Sequence, residues 1–165
     1  MPATEDPSSP TRVVLMCGPA GSGKSTVARE LEREGLVRLS FDREAWRRGF
    51  RTMPLPAQAH RDIEAALRAR LLALMADGRD VVLDFSFWSR AMRDDYRRLL
   101  RPLGIEPETI YLATDRDTCL SRVRARAVDH ADDFRLSEKL AATYFDHFEA
   151  PTPAEGPLTV LGRDD

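Results

Sequence analysis

The most specific chemical pattern in this sequence is a glycine-rich stretch from Gly18 to Ser25, which has the spacing G-x-x-x-x-G-K-S. A loop of this spacing turns successive backbone N–H groups inward, and the helix after it directs its positive end at the same point, so the loop can bind phosphate oxygens. Lys24 would contact the β and γ phosphates, and the hydroxyl groups of Ser25 and Thr26 are candidate ligands of Mg²⁺. The residues predicted to hold a nucleotide here are Gly18, Ala20, Gly21, Ser22, Gly23, Lys24, Ser25 and Thr26.

Two carboxylates follow strand-like segments downstream of this loop. Asp42 follows the alternating residues 36–41, and Asp84 follows the apolar run 81–83. In an open parallel sheet the ligand crevice lies outside the carboxyl ends of the strands, so both acids should face the same cleft as the glycine loop. Asp84 is predicted to support Mg²⁺, whereas Asp42 either caps a helix or accepts a proton from an acceptor hydroxyl. The sequence leaves open which of the two is the general base.

Hydrophobic periodicity predicts the elements that position these residues. Apolar or alternating runs predict strands at residues 13–17, 36–41, 80–85, 108–113 and 158–161. Amphipathic patterns predict helices at residues 25–31, 42–49, 57–76, 90–103, 115–127 and 137–150. Strands that alternate with helices indicate an α/β fold with a doubly wound, mostly parallel sheet of about five strands and helices on both faces.

Length and composition indicate a single domain. The chain has 165 residues and no internal repeat, so we expect one domain from residue 12 to 165 after a flexible leader at residues 1–11. A net charge of -2 gives no general attraction to nucleic acid or membrane. No apolar run approaches membrane-spanning length, and the leader lacks an apolar signal region, so a cytoplasmic location is expected. The three histidines show no ligand spacing with the two cysteines, which argues against a zinc site.

A polar segment rich in neighbouring arginines is predicted to be a lid. Arg122, Arg124 and Arg126 are spaced by two residues, so they cannot all share one helical face. A mobile segment around residues 122–136 could close over the phosphates and supply positive charge to the transferring group. Arg122 and Arg126 are the candidates for that role, and the alternative is a solvated loop with surface arginines.

The segment after Asp84 carries aromatic side chains. Phe87 and Trp88 follow the predicted strand and should lie near the mouth of the cleft. Phe87 is a candidate contact for an acceptor. The alternative is that these rings seal the core, because aromatic side chains are most often buried for their large apolar area.

With these residues assembled, the chain resembles the small P-loop kinases, the group that includes gluconate kinases, chloramphenicol phosphotransferase, zeta toxins and the kinase domain of polynucleotide kinase. The resemblance covers residues 12–155 and rests on the glycine loop, Asp42 and residues 82–87 with the arginines after them. It implies a three-layer P-loop NTPase fold of the nucleoside-monophosphate-kinase type, with ATP and Mg²⁺ as cofactors. The implied reaction is transfer of the γ phosphate of ATP to a hydroxyl, and the resemblance leaves the acceptor open. We expect that acceptor to be a small molecule.

The resemblance also implies roles for individual residues. Asp42 would be the general base, and Arg90 or Arg93 would contact the acceptor. Arg122 or Arg126 would be the positive charge of the lid. The segment around Pro151 and Thr152 would lie near the adenine.

Two other functions stay open at this point. Polynucleotide kinases carry an arginine three residues after the equivalent of Asp42, whereas this chain has Ala45 there, which weakens the similarity to that group. A 5′-hydroxyl kinase would need a basic groove, and the compact candidates for one are Arg43, Trp46, Arg47, Arg48 and Arg51. The other alternative is a nucleotide-dependent switch or ATPase that has no acceptor.

Overall fold

The structure, a computed structural model, describes residues 11–125 and 136–162. Five strands are present in this part of the chain: β1 (Val13–Cys17), β2 (Val37–Ser40), β3 (Val81–Asp84), β4 (Glu108–Leu112) and β5 (Leu158–Leu161). The α-helices are α1 (Lys24–Arg33), α2 (Phe41–Arg47), α3 (Ala57–Ala76), α4 (Arg90–Leu100), α5 (Arg116–Ala125) and α6 (Glu138–Asp146). Short 3₁₀ helices follow α4 and α6, at Arg101–Leu103 and Pro153–Glu155.

The strands form one sheet in the order β2-β3-β1-β4-β5, and all four neighbouring pairs are parallel. The predicted α/β fold with a sheet of five strands is therefore confirmed. Because β1 is the central strand, the glycine loop after it opens at the middle of the carboxyl edge of the sheet. Open parallel sheets bind their ligands at this edge.

Apolar side chains cover both faces of the sheet. Successive residues of a strand point to opposite faces, so β1 places Val14 and Met16 towards α1, and Val13, Leu15 and Cys17 towards α3 and α4. Each fully buried aliphatic side chain of this size stabilises the fold by ~1.5–3 kcal/mol before the entropy cost is subtracted. The core on the α1 side fixes the position of that helix, and therefore of the loop that enters it.

Serine side chains define where three of the helices begin. Ser40, Ser89 and Ser137 are the N-cap residues of α2, α4 and α6, and each accepts a hydrogen bond from the backbone N–H of the third residue beyond it. Of the two roles considered for Asp42, the helix cap is not observed, because Ser40 is the N-cap of α2. Asp42 instead lies in the first turn of α2, where a carboxylate interacts favourably with the helix dipole.

The C-terminal end of α4 differs from the predicted helix. The predicted helix 90–103 changes to a 3₁₀ turn after Leu100, because Pro102 lacks the N–H that an α-helix interior requires. Among the described helices, none is both long enough and apolar enough to cross a membrane.

Candidate active site

The glycine loop between β1 and α1 has a backbone that suits an anion. Gly21 and Gly23 have positive φ angles of 81° and 96°, which residues with a Cβ rarely adopt. A Cβ on Gly21 would also lie 2.3 Å from the carbonyl oxygen of Cys119. Gly23 is the N-cap of α1 and supplies no side-chain cap. The N–H groups of the first turn of α1 are therefore available to a ligand such as phosphate.

Contacts from both sides hold this loop in place. The N–H of Gly18 donates to the carbonyl oxygen of Ser86 at 3.1 Å, which joins the loop to the segment after β3. On the opposite side, the hydroxyl of Thr114 donates to the carbonyl oxygen of Ser22 at 2.8 Å. The loop is therefore fixed between the segment that follows β3 and the segment that follows β4.

The predicted phosphate ligands at the start of α1 differ in exposure. Lys24 and Ser25 are half-buried, whereas Thr26 is exposed and its hydroxyl lies 3.5 Å from Nη2 of Arg29. Ala20 packs against the apolar cluster beneath α5. The residues that the sequence pattern assigns to the phosphates thus lie in one continuous turn, with Lys24 and Ser25 at the first helical positions.

One predicted lid arginine lies directly against the glycine loop. Nη1 of Arg122 donates to the carbonyl oxygen of Gly21 at 3.1 Å. Arg124 points to another side and forms an ion pair of 2.8 Å with Glu138, as the spacing of two residues requires. Arg126 and most of the predicted lid lie outside the described residues.

Ser25 and Asp84, two of the predicted Mg²⁺ ligands, are in contact. The hydroxyl of Ser25 donates to Oδ2 of Asp84 at 3.1 Å. Oδ1 of Asp84 is buried and makes no hydrogen bond within the described part of the chain. Carboxylate and hydroxyl oxygens are the ligands that Mg²⁺ prefers. The residues present therefore fit this ion, with Ser25 and Asp84 as the groups that would hold it.

The charge of Asp84 is balanced by Arg38, a residue that was not predicted to belong to the site. In the register of β2 and β3, Arg38 is opposite Val82 and Ser40 is opposite Asp84, so Arg38 and Asp84 face the same side. Nε and Nη2 of Arg38 donate to Oδ2 of Asp84 at 3.0 and 2.5 Å. A charged residue inside a strand that is covered on both faces is the sequence signal for such a partner, since parallel strands are otherwise apolar throughout.

Asp42 lies at the same edge of the sheet. β2 and β3 end in register at Ser40 and Asp84, and Asp42 is two residues beyond Ser40, half-buried in the first turn of α2. Both predicted carboxylates therefore lie at the carboxyl ends of neighbouring strands, as the parallel topology predicts.

Arg93 forms a buried ion pair with Glu155. Nε of Arg93 lies 2.9 Å from Oε1 of Glu155, and their side chains are 0% and 2% exposed. Nη1 of Arg93 donates to the carbonyl oxygen of Phe87 at 2.8 Å. Arg97 adds a contact of 3.3 Å to Oε1 of Glu155. The prediction that Arg93 contacts an acceptor is not supported, because its side chain has no accessible surface.

Phe87 is likewise part of the core. It is 0% exposed and packs against Phe85 and Tyr96, so the predicted acceptor contact is not supported and the alternative of burial describes it. Its φ of 46° is unusual for a residue with a Cβ and costs about 1–3 kcal/mol. The hydrogen bond from Arg93 to its carbonyl oxygen helps to hold this conformation.

Arg90 is the exposed member of the two predicted acceptor arginines. Its side chain lies 3.5 Å from Asp94 on the same helix, and its N–H donates to Oε1 of Glu149 at 3.1 Å. The N–H of Glu149 in turn donates to the carbonyl oxygen of Trp88 at 2.8 Å. The side chain of Trp88 is 53% exposed. The segment after β3 thus presents Trp88 and Arg90 to solvent while Phe87 and Arg93 lie inside.

The segment predicted to lie near adenine is anchored by Glu155. The N–H of Thr152 donates to Oε2 of Glu155 at 2.7 Å, and Pro151 is buried. Burial raises the pKa of Glu155, but hydrogen bonds from Arg93 and from Thr152 outweigh it and lower that pKa to about 2. Glu155 is therefore ionised at neutral pH, and it connects the segment after α6 to α4.

The arginines at the end of α2 and just after it contact neighbouring residues. Arg47 and Arg48 contact Glu44 at 2.6 and 2.9 Å. The guanidinium of Arg51 lies 3.9 Å from the centre of the Trp46 ring. These contacts favour the interpretation of the arginines as a solvated surface rather than as a basic groove.

Comparison with known families agrees with this geometry. The profile of the AAA_33 family, described as an AAA domain, matches residues 13–151. The chain belongs to the AAA_33 family. None of the proteins with curated descriptions matches the sequence.

Solved structures of similar fold include several kinases. A sugar kinase from Janibacter sp. HTCC2649, solved without ligand, is 24% identical with a TM-score of 0.66, over 92% of this chain and 85% of that one. A gluconokinase from Sinorhizobium meliloti 1021 is 21% identical with a TM-score of 0.60, over 93% and 84%. Kti12 from Chaetomium thermophilum, solved in complex with ADP-AlF3, is 19% identical with a TM-score of 0.70, over 93% and 90%. The family match shows AAA_33 membership, and these structures show that the chain shares its fold with small kinases, as the resemblance to the small P-loop kinases predicted.

Proposed function

We propose that the protein is an ATP-dependent kinase that transfers the γ phosphate of ATP to a hydroxyl of a small molecule. The observation that carries this proposal is the contact between Ser25 at the start of α1 and Asp84 at the end of β3. It places a hydroxyl and a carboxylate beside an uncapped helix N-terminus, which is the combination that a phosphate group with its cation requires.

In this proposal the glycine loop binds the phosphates through its N–H groups, and Lys24 contacts the β and γ phosphates. Ser25 and Asp84 hold Mg²⁺. When bound, this ion would screen the negative charge of the phosphates. Asp42, just beyond the end of the neighbouring strand, orients the acceptor hydroxyl and accepts its proton while the oxygen attacks the γ phosphorus. The bond from this phosphorus to the bridging oxygen of the β phosphate breaks, and ADP leaves.

Positive charge from α5 completes the proposed site. Arg122, which contacts the glycine loop, and Arg126 in the lid would stabilise the charge that spreads over the transferring group. Pro151 and Thr152 would border the adenine. Arg90 is the better candidate for an acceptor contact, since it is exposed whereas Arg93 is not.

The acceptor class is proposed from two lines of support. Two proteins of similar fold are a sugar kinase and a gluconokinase, which favours a polyhydroxylated small molecule. Arg47 and Arg48 contact Glu44, and Arg51 stacks on Trp46, which disfavours a 5′-hydroxyl kinase acting on nucleic acid.

The test is transfer of labelled γ phosphate from ATP with Mg²⁺ to a panel of hydroxyl acceptors. The panel contains sugars, sugar acids, aminoglycosides, nucleosides and 5′-hydroxyl oligonucleotides, and each is compared with a reaction lacking acceptor. We expect transfer to one class of small molecule, and none by Lys24→Ala. Hydrolysis that no acceptor changes would favour an ATPase or switch, and transfer to oligonucleotides alone would favour the nucleic-acid enzyme.

A further inference from the structure

The buried ion pair between Arg38 and Asp84 is unusual in a parallel sheet. Their side chains are 0% and 2% exposed, and burial removes both charges from water at a large cost unless they are paired. Arg38 lies on β2, beneath α1, and has no accessible surface through which it could contact nucleotide or acceptor. Asp84, which the guanidinium of Arg38 contacts through two nitrogens, is the residue through which Arg38 can act on the site.

The two carboxylate oxygens of Asp84 have different surroundings. Oδ2 accepts hydrogen bonds from Nε and Nη2 of Arg38 and from the hydroxyl of Ser25. Oδ1 is buried and has no hydrogen-bond partner among the described residues. A buried carboxylate oxygen without a donor is costly, so a ligand is expected there. Because Arg38 engages Oδ2 through two of its nitrogens, Oδ1 is the atom left for that ligand.

A purely structural role for the ion pair between Arg38 and Asp84 does not explain why Oδ1 of Asp84 lacks a partner. β2 and β3 are already joined by a parallel register over their whole length, from Val37 opposite Val81 to Ser40 opposite Asp84. Apolar side chains of similar size would hold the strands together without burying charge. Cohesion alone also gives no reason for a carboxylate oxygen with no partner beside the hydroxyl of Ser25.

We infer that Arg38 is a positioning residue that fixes Asp84 as a carboxylate, with Oδ1 available to the hydrated divalent cation that accompanies the nucleotide. This inference rests on the proposed function, in which Ser25 and Asp84 hold that cation. Residues that orient a metal-binding carboxylate typically change metal affinity by about 10- to 100-fold when they are replaced.

The inference is tested by titrating ADP into the protein by calorimetry, once with Mg²⁺ and once with EDTA. The measured quantity is the enhancement, the ratio of the two dissociation constants. We expect Arg38→Met to reduce the enhancement by about 10-fold or more while the affinity for ADP in EDTA stays near that of the wild type. Arg38→Lys, which keeps one charged donor, should give an intermediate enhancement.

The matched control is Arg97→Met, which removes another buried arginine from the opposite face of the sheet. It contacts Asp94, Thr109 and Glu155, so it should lower stability and leave the enhancement unchanged. An enhancement in Arg38→Met equal to that of the wild type would overturn the inference and leave the proposed kinase untouched. A wild type that binds ADP without any enhancement by Mg²⁺ would overturn both.

Arg38→Met is expected to lower the free energy of unfolding, because it leaves the buried carboxylate of Asp84 without its counter-charge. If that variant does not fold, Arg38→Lys decides, since it retains the charge that Asp84 requires. A reduced enhancement in Arg38→Lys at unchanged ADP affinity in EDTA supports positioning, and an unchanged enhancement contradicts it.

Discussion

The carboxylate of Glu155 and the guanidinium of Arg93 meet at 2.9 Å, although neither side chain has appreciable access to solvent. The pair joins the segment after α6 to the helix after β3, and Arg93 extends the connection to the carbonyl oxygen of Phe87. One ion pair therefore fixes both the predicted adenine edge and the segment after β3.

Replacing Glu155 by Gln should lower the free energy of unfolding by about 3–5 kcal/mol, because it leaves a buried arginine without its counter-charge. Urea denaturation measures this. The control is Glu108→Gln, which breaks the more exposed pair with Arg12 and should cost less than about 1 kcal/mol. Similar losses of unfolding free energy in the two variants would show that burial does not make the ion pair of Glu155 more important for stability than the exposed one.

The contribution of Glu155 to stability should depend on pH. Its pKa is about 2 in the folded protein and about 4.3 when unfolded. The stabilisation is therefore complete above the unfolded pKa and is lost as the pH falls towards the folded one. The difference in unfolding free energy between wild type and Glu155→Gln should shrink between about pH 5 and 2, measured by urea denaturation across that range. A difference in unfolding free energy that stays constant over this pH range would contradict the lowered pKa of Glu155 in the folded protein.

The strands and the glycine loop could be predicted from sequence because their signals are local. A run of apolar residues defines β1, and α3 was predicted with the bounds that the structure has. The edge at which Asp42 and Asp84 lie followed from the parallel topology alone. Predicting these features requires only the period of the hydrophobic pattern and the direction of the strands.

The ion pairs could not be predicted, because their partners are far apart in the chain. Arg93 and Glu155 are separated by 62 residues, and Arg38 and Asp84 by 46. The helical position of Arg93 is compatible with solvent or with the core, and only the presence of Glu155 on the packed segment makes burial possible. A cap was one of the two roles considered for Asp42 because the strand was predicted to continue through Phe41, whereas α2 begins at Phe41 and Ser40 is its N-cap.

Gly21→Ala should abolish nucleotide binding. The new Cβ would lie 2.3 Å from the carbonyl oxygen of Cys119, at a φ of 81°, so the loop must move. The matched control is Gly78→Ala, which also has a positive φ but has no atom within 4 Å of the new Cβ. It should cost about 1–2 kcal/mol of stability and bind ADP normally. Calorimetric titration with ADP distinguishes the two variants. Normal ADP binding by Gly21→Ala would show that the close approach of Gly21 to Cys119 is not needed for the loop to bind phosphate.

Asp42→Asn should reduce kcat by about 10²- to 10⁴-fold with little change in ATP affinity, because an amide cannot accept the proton of the acceptor hydroxyl. Asp117→Asn is the control, since Asp117 occupies the first turn of α5 as Asp42 does that of α2. It should leave turnover unchanged. Steady-state transfer to the acceptor found in the panel measures both. Full turnover by Asp42→Asn would assign the general base elsewhere.

Arg122→Ala should reduce kcat by about 10²-fold, through loss of positive charge at the transferring phosphate. The exposed side chain makes a large loss of stability unexpected. Arg124→Ala is the paired control, because Arg124 binds Glu138 on another side of the same helix. Single-turnover transfer compares the variants, and equal rates for the two would remove Arg122 from the site.

The hydrogen bonds that hold the glycine loop also bear on how the site arises during folding. Ser22 and Gly21 are held by Thr114 and Arg122, which are 92 and 101 residues away in the chain. Contacts of such separation form late, after the intervening chain has closed. The loop can therefore reach its phosphate-binding shape only once β4 has joined β1. A peptide that carries the complete G-x-x-x-x-G-K-S signature but ends before β4 should bind no nucleotide, because the sequence of the motif is local and its structure is not.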